Sequence, residues 1–253
     1  MKNTPIIILN RDRLNSTKNL VESLIQRGYI NIVILDNGST YPPLLDWYSH
    51  QSRCKVFFNN EVDHNHLALH NLLLIKNEFF TNLLRGSWYV LTDSDLALHD
   101  SVPYDFINDL INLCIKYDKD KVGLGIHVDD IHRSLFTNEE YWELMSFMKD
   151  YENQFTQNGG PYGVVEIKDE NNACVLYDAP IDTTFAVCKP NSTPIASRNC
   201  LRTGYPYLSK HMPFYYDLGS FPKDELYYLT HMNTRATTGF SSKILKFICI
   251  IVV

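Results

Sequence analysis

The sequence predicts an α/β fold with a mostly parallel central sheet, continued by a more irregular half. Three observations carry that expectation. Over the first hundred residues short apolar runs alternate with amphipathic stretches, the pattern of a parallel sheet built from β-α-β units. Polar groups, Asn10-Arg11, Asp36-Asn37 and Asp93-Ser94-Asp95, close successive apolar runs, at the carboxyl strand ends where open α/β sheets gather ligands. After Asn158 the pattern changes to glycine, proline and scattered aromatics. A chain of 253 residues suits one domain, residues 1–243, in two halves (1–100 and 101–243), with 244–253 as an apolar tail.

Pro5 to Leu9 reads as the first strand. Asn15 or Ser16 can cap a helix whose Leu20, Val21, Leu24 and Ile25 recur at helical spacing until Gly28 stops it. Ile30 to Leu35 is the second strand, closed by Asp36-Asn37-Gly38-Ser39. Pro42-Pro43 opens a short helix through Leu44, Leu45, Trp47 and Tyr48, because proline fits a first helical turn. Val56 to Phe58 is a third strand, one helix carries Leu69, Leu72, Leu73 and Phe80, and Trp88 to Leu91 is a fourth strand. A helix from Pro103 to about Tyr117 precedes a strand over Val122 to Ile126, in which Gly123 and Gly125 suggest a bulge or close packing. Asn138 to Tyr151 is helical. Asn158 to Gly163 is a breaker cluster, and Val164–Lys168 with Ala173–Tyr177 suggest a hairpin around Asp169-Glu170-Asn171-Asn172.

Composition narrows the function. The net charge of -6 argues against nucleic acid as a partner, which needs a basic face, while neutral or cation-chelated substrates stay open. Sixteen tyrosines offer apolar bodies with polar tips, suited to sugars or bases where they are exposed and to core packing elsewhere. The six cysteines form no C-x-x-C pair, so they read as reduced packing residues of a cytoplasmic protein. Ile6 to Leu9 is too short for a signal-peptide core. The tail Ile244 to Val253 is too short to span a bilayer; it reads as a buried strand, a shallow membrane contact or a merely apolar chain end.

The sharpest chemical signal is Thr92-Asp93-Ser94-Asp95 after a hydrophobic strand. Two carboxylates at i and i+2 can be turned to one side, where they offer hard oxygen ligands to Mg²⁺ or Mn²⁺ and, through it, to a diphosphate. A solvated acidic turn is the plain alternative for such a triplet. His66 and His70 are spaced i, i+4, but Leu67 stands where a zinc protease needs Glu, so His64 and His66 read as cap or rim residues. Asp129-Asp130 is an acidic turn with no partner spacing, and neither glycine-rich phosphate-binding motif occurs.

These features together resemble the GT-A glycosyltransferases, closest to glycosyltransferase family 2. The matching residues are Ile6 to Arg11, Ile32 to Ser39 and the D-x-D strand, so the resemblance covers about residues 5–100 and is looser beyond. It implies a Rossmann-like GT-A fold with a nucleotide-sugar-binding first half and an acceptor second half. It also implies a nucleotide-diphosphate sugar donor and a carbohydrate or glycoconjugate acceptor. By the resemblance, Asn10, Arg11 and Asp36 serve the donor, Asp36 at the base or ribose. Asp93 and Asp95 hold the Mn²⁺ or Mg²⁺ and the sugar nucleotide. Ala179 to Ala186 and His211 to Tyr215 are similar to acceptor-side segments of the same group. An inverting transferase needs a carboxylate to take the acceptor proton; Asp182 is the candidate, with Asp178 as substitute and a capping role for Asp182 as the alternative. His211, ahead of His231, is the candidate histidine for the metal. Two other classes share these signals: a haloacid-dehalogenase-type phosphatase, whose nucleophile and acid also form Asp-x-Asp, and an inactive carbohydrate-binding module of the same fold. The phosphatase usually carries Thr or Val where Ala97 stands, and places the motif on its first strand.

Overall fold

The computed structural model describes residues 2–156, 164–167, 174–195, 199–231, 243–244 and 247. The first half has the expected α/β order: β1 (Ile6–Asn10), α1 (Asn15–Gln26), β2 (Ile32–Asp36), α2 (Pro42–His50), β3 (Lys55–Phe58), α3 (Ala68–Leu74), α4 (Glu78–Leu84) and β4 (Tyr89–Asp93). Strands β1 and β2 are buried along their whole length, as unbroken Ile/Val/Leu runs must be when helices cover both faces of a sheet. The second half adds β5 (Leu96–Leu98), α5 (Phe106–Lys116), β6 (Lys121–Ile126), α6 (Glu139–Asn153), β7 (Glu166–Ile167), β8 (Leu176–Tyr177), β9 (Ala186–Cys188), β10 (Cys200–His211) and α7 (Lys223–His231).

One sheet joins both halves in the order β3-β2-β1-β4-β9-β6-β10-β8-β7, with β5 paired to β10. Strands β1, β2, β3 and β4 pair in parallel, and β6 with β10 likewise, while β9 runs antiparallel between β4 and β6. With β5, β7 and β8 also pairing antiparallel, the sheet is parallel throughout its first half and over most of its paired length, of the Rossmann-like kind expected. Its register does the first functional work. Asn10 lies opposite Asp36 and Leu9 opposite Asp93, so the polar strand ends fall on one edge.

Several expectations need adjusting. The single helix expected across Leu69 to Phe80 is two helices, because Lys76 takes a left-handed φ of 56° and Asn77 caps α4 by accepting from the Phe80 N–H. Helix α3 begins only at Ala68, which leaves His66 ahead of it and His70 inside it, so the two do not share a helical face. Neither Asn15 nor Ser16 caps α1, whose N-cap is Leu14. Asp224 of α7 does so instead: one carboxylate oxygen accepts the Leu14 and Asn15 N–H groups at 2.8 and 2.7 Å. An anion there also suits the positive end of the helix dipole. Gly123 and Gly125 mark close packing, as expected. A Cβ on Gly125 would sit 2.2 Å from the Thr203 carbonyl oxygen, beside the register shift in β10.

The core lies on both faces of the sheet, with a third cluster around α6 and α7 that takes in Ile244. Phe247 packs edge-on against Tyr141, so two residues of the apolar tail meet the protein's own core. The remainder of the tail, the breaker cluster at 158–163 and the hairpin turn at 169–172 lie outside the described residues. Among the described residues no helix is long and apolar enough to cross a membrane.

Candidate active site

The loops after β1 and β2 are knitted together. Asp36 is 1% exposed. Its two oxygens accept from the Ser39 N–H and hydroxyl and from Tyr48 Oη at 3.0 Å, and Tyr48 in turn accepts from Asn10 Nδ2 at 2.7 Å. Burial pushes the Asp36 carboxyl up, and the Ser39 and Tyr48 donors oppose that shift. The carboxylate thus faces inward and organises the Asn37-Gly38 turn, where Gly38 takes a left-handed φ of 75° under the His64 ring. Asp12, which the sequence did not single out, ties the same loop down. It is fully buried and accepts the Thr40 and Tyr41 N–H groups at 2.6 and 2.9 Å. Arg11 keeps its side chain 23% exposed beside these turns.

Strand β4 ends in Asp93, and Asp95 sits in the turn that leads to β5. His211 ends β10 opposite Leu96 of β5, and that antiparallel pairing brings it to Asp95: His211 Nε2 lies 3.3 Å from Asp95 Oδ2. Arg13 approaches the same oxygen at 3.3 Å while donating twice to Glu225 of α7, at 2.7 and 2.9 Å, with its guanidinium on the Tyr228 ring. The carboxylates are driven apart. Burial would raise Asp95, but Arg13 and His211 more than offset it and hold the group well below the usual carboxylate range. Asp93 is pushed up to about 7 by burial, by Asp95 and by Asp182, against the hydrogen bond from Thr183. His211 is raised, the nearby Asp95 outweighing burial.

The Arg13–Glu225 pair yields a stability prediction. Glu225 is 4% exposed, so Arg13→Ala strands a buried carboxylate and should cost about 3–5 kcal/mol, read from denaturant unfolding. A loss under about 1 kcal/mol, the range of exposed pairs, would show that water replaces Arg13.

Asp182 follows a tightly tethered turn. Its neighbour Thr183 binds β4 twice: the Asp93 N–H donates to the Thr183 carbonyl at 3.0 Å, and the Thr183 hydroxyl donates to Asp93 Oδ2 at 2.5 Å. The Asp182 side chain itself is exposed, yet close enough to Asp93 to raise it. Asp178, by contrast, is paired with Lys119 at 3.0 Å. His231 lies on α7, stacked flat on Tyr227 at 3.8 Å.

Among the described residues no three His, Cys, Asp or Glu side chains form a cage for a metal ion. The donor set nonetheless fits a hard divalent cation of the kind held by one or two carboxylates plus substrate phosphates. Asp95 Oδ1 is buried with no hydrogen-bond partner, next to a second carboxylate that ionises reluctantly. A divalent cation bound there would satisfy the first and favour ionisation of the second.

No protein-family model matches the sequence, and no curated protein matches it. Among solved structures, HddC from Yersinia pseudotuberculosis, crystallised with GMP-PN, matches with a TM-score of 0.34 and 17% identity over 51% of this chain and 61% of that one. TarS 1–349 from S. aureus matches with a TM-score of 0.33 and 14% identity over 54% of this chain and 40% of that one. Less than two thirds of either chain's length is spanned.

Proposed function

We propose that this chain is a GT-A glycosyltransferase that moves a sugar from a nucleotide-diphosphate donor to a hydroxyl of a carbohydrate or glycoconjugate, with inversion at the anomeric carbon. What supports the reading above all is one juxtaposition. An exposed carboxylate, Asp182, stands on a turn whose next residue, Thr183, is hydrogen-bonded twice to Asp93 at the carboxyl edge of the sheet, close enough for its charge to raise Asp93.

The roles divide by position. Asn10, Arg11 and Asp36 form the donor end, with Asp36 shaping the turn under the nucleotide and Arg11 the partly exposed cation. Asp93 and Asp95, with His211 behind Asp95, are the residues to hold Mn²⁺ or Mg²⁺. When bound, the cation supplies charge neutralisation for the departing diphosphate. Asp182 takes the proton from the acceptor hydroxyl as that oxygen bonds to the anomeric carbon and the bond to the diphosphate oxygen breaks. Arg13 keeps Asp95 ionised and pointed into the site.

A panel of UDP-, GDP-, ADP-, CDP- and dTDP-sugars offered with Mn²⁺ tests the assignment, reading thermal shift and release of nucleoside diphosphate together. One nucleotide should both stabilise the protein and be turned over, and EDTA should abolish both effects. Absence of stabilisation by every nucleotide would overturn the reading.

A further inference from the structure

Lys121, on β6, is fully buried. Among the described residues it has no carboxylate within ion-pair reach; its ammonium donates instead to three backbone carbonyls, those of Asp182 at 2.8 Å, Pro194 at 3.0 Å and Ile195 at 3.3 Å. Burying a charge without a counter-ion is costly, and an apolar residue would serve stability better in the middle of a sheet. Three donors of one ammonium spent on three carbonyls of two separate loops is the arrangement of a clamp.

The loop that carries Asp182 is held along its length. Cys200 Sγ donates to the Ala179 carbonyl at 3.1 Å and Arg202 Nε to the Pro180 carbonyl at 2.8 Å. Lys121 takes the Asp182 carbonyl and the Asp93 N–H takes that of Thr183. Arg202 is itself buried, seated over the Phe155 ring and near Glu152. Two buried cations, from β6 and β10, therefore grip the backbone on either side of Ile181, while the Asp182 side chain is left outside.

We propose that Lys121 is a positioning residue for the transfer step: by holding the Asp182 carbonyl, it fixes the place and angle of the Asp182 carboxylate relative to the neighbouring Thr183–Asp93 contact. The inference rests on Asp182 acting as base. A base helps only when it meets the acceptor proton within hydrogen-bond reach, and a misplacement of about 1 Å from a remote change can cost about 100-fold in rate. The donor-end residues Asn10, Arg11 and Asp36 lie on other strand ends, and Asp93 keeps its own two hydrogen bonds to Thr183 when the Lys121 contact is removed.

The test is a double-mutant cycle on the full chain, with the nucleotide sugar that the donor panel selects. Lys121→Met should lower kcat at least tenfold with the donor KM within twofold, and backbone hydrogen exchange should quicken at Ile181 to Thr184. Lys121→Gln, which keeps a donor at that depth, should recover part of the rate and guards against a Met variant that fails to fold. In the Asp182→Asn background, Lys121→Met should slow the reaction no further, because the group it positions is already gone. Equal slowing in both backgrounds, or a wild-type kcat in Lys121→Met, would overturn the proposal while leaving Asp182 as base. Asp182→Asn transferring at the wild-type rate would instead remove the base assignment itself, and the positioning role with it.

Discussion

Replacing Asp182 by Asn should lower kcat by about 10²–10⁴, the usual contribution of a general base, and leave the donor bound. The amide has nearly the carboxylate's shape but cannot accept the acceptor proton. Because the side chain is exposed and its backbone carbonyl is held by Lys121, the substitution removes no side-chain hydrogen bond among the described residues and the fold should be unaffected. Titration calorimetry with the preferred nucleoside diphosphate and Mn²⁺ should give a Kd close to that of the wild type, separating a chemical defect from a binding one. Asp178→Asn is the matched control: its carboxylate is committed to Lys119, so transfer should stay near wild type. Full transfer by Asp182→Asn would place the base elsewhere or point to retention of configuration.

Asp95→Ala should be as severe and of a different kind. Asp95 is the point on which Arg13 and His211 converge, and its buried Oδ1 has no hydrogen-bond partner among the described residues. Without it, Asp93, Arg13 and His211 remain, and the proposed cation site is left with a single carboxylate. Turnover should fall about 10³-fold or more, the equivalent of the several kcal/mol that metal neutralisation of a leaving group supplies. Donor affinity should lose its dependence on Mn²⁺ in the same variant. His211, no longer facing a carboxylate, should titrate at lower pH than in the wild type, since Asp95 is what raises it. Turnover that survives either Asp95→Ala or EDTA would mean that the cationic side chains, not a metal, serve the diphosphate.

Much of the first half was legible because its information is local. Unbroken aliphatic runs mark buried parallel strands, Pro42-Pro43 marks a helix start, and the polar strand ends follow from where the runs stop. The α3–α4 break was not, since it depends on a left-handed Lys76, which the apolar spacing of Leu69 to Phe80 does not betray. Asp36 was legible as a strand end but not as an inward-facing group; its burial comes from Tyr48, a helix away.

The amino-acid sequence by itself determined the strand ends, the order of the parallel units and the acids that stand at the sheet's edge, because alternation and chain reversal are set by neighbours within a few residues. Only the tertiary structure decided what those acids meet. Arg13 finds Glu225 across 212 residues, Thr183 finds Asp93 across 90, and Lys121 finds the Asp182 carbonyl across 61. The Thr183 and Lys121 pairings follow from β9 entering antiparallel between β4 and β6, and the Asp95–His211 pairing from β10 lying against β5. A buried charge takes whichever partner the packed sheet brings within hydrogen-bond reach, and that choice is made by strand register rather than by any pattern along the chain.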